Sequence, residues 1–110
     1  IGELLDKITI LQIKSEYTNN QYVHKELQDL SKIAINLGVY ESKYLDDLLK
    51  VNRKLWDIED KLRECERNFT FDDEFIRLAR QVYTTNDKRS RIKKEINEET
   101  NSEYSEVKLY

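Results

Sequence analysis

From Tyr44 to Phe69 the apolar residues fall at alternating steps of four and three: Tyr44, Leu48, Val51, Leu55, Ile58, Leu62, Cys65 and Phe69. Such steps keep side chains on one face of an α-helix, whereas a strand needs steps of two. The run predicts one helix of about 25 residues, roughly 38 Å long at 1.5 Å per residue. A helix of this kind is marginal in water alone and must lay its stripe against a partner. Leu45, Leu49 and Trp56 flank the stripe, where a third helix can meet it.

The partner follows directly. "NFTFDDEF" reads as a turn, with Asp72 placed to cap a new helix and Asp72, Asp73 and Glu74 suited to the positive end of its dipole. Phe71 and Ile76 stand at the two positions of a hydrophobic staple. The helix carries Phe75, Leu78, Val82, Ile92 and Ile96 on its seam and is expected to end between Asn97 and Asn101. A short turn between two long seams makes antiparallel neighbours, a coiled-coil-like hairpin in which positions summing to about 140 face each other.

Upstream, Ile1, Leu4, Ile8 and Leu11 mark a first helix over residues 1–17, and Leu5, Ile10 and Ile13 widen its apolar face enough to be covered on more than one side. After the polar turn "TNNQ", a second stripe runs through Val23, Leu27, Leu30, Ala34 and Leu37. Gly38 follows where a left-handed C-cap is wanted, and Ser42 can cap the third helix. With no proline and two glycines in 110 residues, the chain can build few turns. The fold class is therefore all-α, an antiparallel bundle of four helices with the third and fourth long. One domain is expected over 1–101, with 102–110 a tail whose Tyr104, Val107, Leu109 and Tyr110 can dock.

The charge balance, 19 basic and 22 acidic residues for a net of −3, argues against a general nucleic-acid binder. No apolar run approaches the ~18 residues that a membrane span needs, and no signal peptide is visible. The chain opens on Ile1 rather than methionine, so a short upstream segment is expected. A lone cysteine, Cys65, excludes an internal disulfide and suits a reducing, cytoplasmic compartment.

Within the fourth helix the seam breaks. Thr85 and Arg89 occupy core positions, with Asn86 and Asp87 beside them. Asn52 is the one polar residue the third helix offers opposite, so other partners must come from the first helix, where Asp6, Lys7, Thr9 and Gln12 are available. Two readings stand. In one, Arg89 pairs with Asp6 or Asp87 in a closed polar layer that fixes helix register. In the other, Asp6, Lys7, Asn52, Thr85, Asn86 and Arg89 line a ligand pocket for a carboxylate or phosphate. The basic run Lys88, Arg89, Arg91, Lys93 and Lys94 can touch phosphates, or can be a solvated face near a helix C-terminus.

Catalysis has little to draw on. His24 is the only histidine and reads as a surface residue, and Cys65 on a seam reads as an inert core thiol. One Cys and one His make no ordinary zinc site, and the carboxylate pairs Glu3/Asp6, Asp57/Asp60 and Glu95/Glu98 are scattered. No catalytic residue, metal or cofactor is expected.

The blocks "GELLDKITILQIKSE", "LWDIEDKLRE", "FIRLARQVYTTNDKRSRIKKEIN" and the closing "SEVKLY" together resemble an uncharacterised family of short helical proteins from bacteria and phages. The resemblance covers nearly the whole chain, although the closing "VKLY" departs from the family's tail. It implies no established activity, and an association of some members with surface-polysaccharide genes. Asp6, Lys7, Trp56, Arg80, Tyr83, Asn86, Asp87 and Arg89 lie within its blocks. The function expected is a non-catalytic interaction or assembly module with protein partners, a homodimer first among them. The alternative is a small helical enzyme or anion-binding bundle using the layer around Arg89.

Overall fold

A computed structural model describes residues 1–40 and 43–100. Four helices follow in order: α1 Gly2–Ser15, α2 Gln21–Asn36, α3 Lys43–Arg67 and α4 Asp73–Glu99. Among the described residues there is no strand, and no helix is long and apolar enough to cross a membrane. The expected Ser42 cap and the docking of the tail lie outside the described residues.

The helix ends obey local chemistry. Asn20 caps α2 by accepting the Tyr22 N–H at 2.8 Å, and Asp72 caps α4 by accepting the Phe75 N–H at 3.2 Å. Gly38 takes φ +73°, and the bonds Gly38 N–H to the Ile35 carbonyl and Val39 N–H to the Ala34 carbonyl close α2 in a Schellman motif. The same motif closes α3 through Phe69 N–H to Glu66 and Thr70 N–H to Cys65, but here the residue at φ +53° is Phe69. With Asp72 as the N-cap, Phe71 and Ile76 stand at the two staple positions, each about half exposed, and Phe71 also meets Phe75 edge-on, ring centroids 5.1 Å apart.

α3 and α4 form the antiparallel hairpin and share the most extensive helix contact. α1 lies against one end of it and also carries α2, which approaches no other helix closely. Its course is fixed by pairs. Gly2, Glu3 and Asp6 meet Asn97, Lys93 and Arg89 in turn, so α1 runs against α4. Asp6 and Thr9 meet Asn52, Glu16 meets Arg53, and Tyr17 stacks on Trp56 with centroids 5.2 Å apart, so it runs along α3. Being touched by three helices explains the wide apolar face of α1. Leu5, Ile8, Leu11 and Ile13 are all buried.

At about 21 Å, a helix of 14 residues covers little more than half of a hairpin arm of roughly 38 Å. The main core reflects this. Leu5, Ile8, Ala34, Tyr44, Leu48 and Ile96 cluster where all four helices contribute. Farther along the seam, Leu62 and Cys65 are half-buried and Phe69 is exposed.

Candidate functional site

The break in the α4 seam meets the break in α1. Asp6 and Thr9 lie one turn apart on the face of α1 that enters the hairpin, and Asn52 on α3 donates to both, at 2.9 Å to Asp6 Oδ1 and 2.8 Å to Thr9 Oγ1. The Thr9 hydroxyl donates to the Asp6 carbonyl at 2.7 Å. Arg89 turns its guanidinium fork onto the same carboxylate, Nε to Oδ1 at 2.8 Å and Nη2 to Oδ2, a bidentate charge-assisted pair. Its remaining arm reaches Asn86 Oδ1 at a long 3.4 Å. Lys93, one turn beyond Arg89, is buried with its ammonium 3.9 Å from Asp6 Oδ2 and 2.6 Å from Glu3.

Asp6 is 3% exposed, and burial alone would push its carboxyl upward. The hydrogen bonds from Arg89 and Asn52, with the charges of Arg89 and Lys93, outweigh that and hold the group below its ordinary value of 3.8. The carboxylate stays ionised at neutral pH with donors on both oxygens. This arrangement is an ion cluster at a helix junction, with the Asp6 carboxylate buried at its centre. Glu3, at the water-facing end, balances Lys93.

Of the six residues expected to meet here, the structure brings together Asp6, Asn52, Asn86 and Arg89. Lys7 points elsewhere: it faces α2 and pairs with Glu26 at 2.9 Å on the surface. Thr85 is buried but lines the cleft between α3 and α4, where Lys50 and Lys54 also lie. Lys93 is the residue that sequence reasoning overlooked. In the sequence it stands within a basic run, although its spacing of four from Arg89 puts it on the same stripe.

A second contact locks α1 against α4. The Gly2 N–H, one of the unpaired donors at a helix start, is taken by Asn97 Oδ1 at 2.8 Å. A Cβ on Gly2 would lie 2.8 Å from both that oxygen and the Lys93 carbonyl, so the approach requires glycine.

Other candidates behave as ordinary surface or packing groups. His24 is exposed, its ring Nε2 3.2 Å from the Thr18 carbonyl oxygen. Cys65 is half-buried rather than sealed in the core. Among the described residues no group of acids, histidines and cysteines is arranged to hold a metal. No curated protein and no solved structure matches this chain. A model of a family of unknown function, DUF6165, matches residues 1–110, and the chain belongs to that family.

Proposed function

We propose that this protein is a non-catalytic helical interaction module whose working end is the far tip of the α3–α4 hairpin. The observation that carries the reading is Phe69. Its ring is 82% exposed and its backbone sits at φ +53°, a region that disfavours every residue with a Cβ. Glycine would close α3 without that penalty, so neither burial nor backbone geometry accounts for a phenylalanine. Strain retained at an exposed aromatic points to use. Phe71 and Ile76, at 50% and 55% exposure, share the tip with it.

The partner proposed is a second copy of the chain, docking tip against tip so that the three side chains are hidden. The rival reading, a ligand pocket around Arg89, is disfavoured by the Asp6 carboxylate that already fills the arginine fork. Sedimentation velocity at micromolar concentration tests the proposal. The chain, 13.3 kDa as a monomer, should sediment as a dimer, and Phe69→Ser/Phe71→Ser should return it to a monomer with unchanged helix content. A monomer at every concentration overturns homodimerisation.

A further inference from the structure

The basic run of α4 splits into two faces. Arg89 and Lys93 turn inward to the acids of α1, as described above. Lys88 and Arg91 turn to the cleft that α4 forms with α3, where Lys50 and Lys54 face them. Val51, Thr84 and Thr85 complete the lining, and the cleft encloses about 260 Å³. Lys50 and Lys54 are four apart and Lys88 and Arg91 three apart, so each bank is a single stripe.

No acid lines this stretch, and among the described residues none of the four cations forms an ion pair. The chain has an excess of acids and pairs Arg53 with Glu16, Arg63 with Asp60 and Arg77 with Glu74. Like charges facing each other across a helix pair repel, and a bound anion removes that repulsion. Toward the hairpin tip the groove continues past Lys61, Asp57 and the Glu74-paired Arg77, so the uncompensated charge is confined to the four cations.

We infer that this cleft binds a small anion carrying two or more linked phosphoryl groups. Three of the four cations are lysines, compact point charges suited to phosphoryl oxygens, whereas carboxylates are matched best by arginine forks. No aromatic side chain lines the groove, so it lacks the stacking platform on which single-stranded nucleic acids depend. The stretch between the four cations, about 260 Å³, is below the usual range for drug-sized ligands, roughly 300 to 1,000 Å³, and suits a compact anion.

Isothermal titration with sodium tripolyphosphate at low ionic strength tests the site. Saturable binding is expected, weakening steeply as salt is raised. Lys50→Gln/Lys54→Gln and Lys88→Gln/Arg91→Gln should each weaken it by roughly tenfold or more, while Arg63→Gln leaves it unchanged. All four replaced side chains are exposed, and circular dichroism should give both double variants full helix content. Orthophosphate and citrate should bind at least about tenfold more weakly than tripolyphosphate. The proposal is overturned by absence of saturable binding, by double variants that bind as the parent does, or by equal affinity for citrate. Tighter binding to a dT oligonucleotide or to phosphatidylglycerol vesicles also overturns it.

Discussion

The two halves of the α3–α4 hairpin carry the same four-three seam and meet different fates. In the half beside α1, Leu48 is fully buried, Val51 and Leu55 nearly so, and a charged cluster built on the buried Asp6 sits at the junction. In the far half Leu78 is buried, but Leu62 and Cys65 are only half-buried, Phe71 and Ile76 are about half exposed, Phe69 is 82% exposed, and charges pair on the surface, as in Arg63–Asp60 and Arg77–Glu74. A seam specifies which face a helix turns to its partner. Leu78 is buried without α1, but most of the deep burial lies where a third layer is added, and α1 supplies one to half of the hairpin only. Stability is concentrated at one end, leaving the other free to carry apolar surface.

Leucine truncation should break this symmetry most visibly. Leu48→Ala removes a side chain with no exposed surface and should cost about 4 kcal/mol. Leu62→Ala, half-buried on the same seam, should cost only about 1 kcal/mol. Equal losses in urea titrations would mean that the far half has a cover of its own.

The charged cluster comes next. Arg89→Leu strands the buried Asp6 carboxylate and should cost about 3 kcal/mol, the lower end of the range because Asn52 and Lys93 remain near it. Adding Asp6→Asn should restore part of that loss. The cluster also sets an acid limit. Because the Asp6 pKa is depressed on folding, its contribution is complete above 3.8 and is lost as pH falls through the lower folded value. Urea midpoints should therefore hold steady from pH 7 to about 5 and drop below about 4, and the drop should be shallower in Asp6→Asn.

Gly2→Ala probes the junction from the other side. Its methyl group would press on the Lys93 carbonyl, which is backbone and cannot swing away, so about 2 kcal/mol should be lost. A compensating shift of α1 should also weaken the Gly2–Asn97 bond and expose the Gly2 amide to faster hydrogen exchange.

What the chain announces about itself follows the same division. The four helices, the hairpin and the Gly38 and Asp72 caps are legible because each depends on near neighbours in sequence. That Arg89 needs an acid, Asp6 or Asp87, is legible too, since an always-charged arginine on a core stripe demands one; the packed helices supply Asp6. The roles of Lys93, Asn97 and Gly2 are not. Lys93 lies in a run of cations that looks solvated, and Asn97, which accepts the Gly2 N–H, stands 95 residues away, on an approach that only the packed helices define. The clefts between α3 and α4 were equally hidden, because Lys50 and Lys54 gain meaning only when α4 brings Lys88 and Arg91 opposite them. The seam pattern overstates burial for Leu62, Cys65 and Phe69, because it cannot show where α1 stops.

The smallest expected effect separates stability from use. Phe69→Gly relieves the left-handed strain, worth about 1 to 2 kcal/mol, and buries nothing less, since the ring is bare. Against this stands the added freedom of glycine in the unfolded chain, about 0.5 to 1 kcal/mol. The variant should thus be more stable by about 0.5 kcal/mol, a rise in melting temperature of a few degrees. If the tip is the docking surface, the same substitution must weaken self-association while it stabilises the monomer. Phe69→Ala distinguishes the causes: it loses the ring but keeps the strain, so it should weaken association without the gain in stability. Were Phe69→Gly to leave the monomer–dimer equilibrium unchanged, the strained aromatic would have no part in assembly, and the far half of the hairpin would need another explanation.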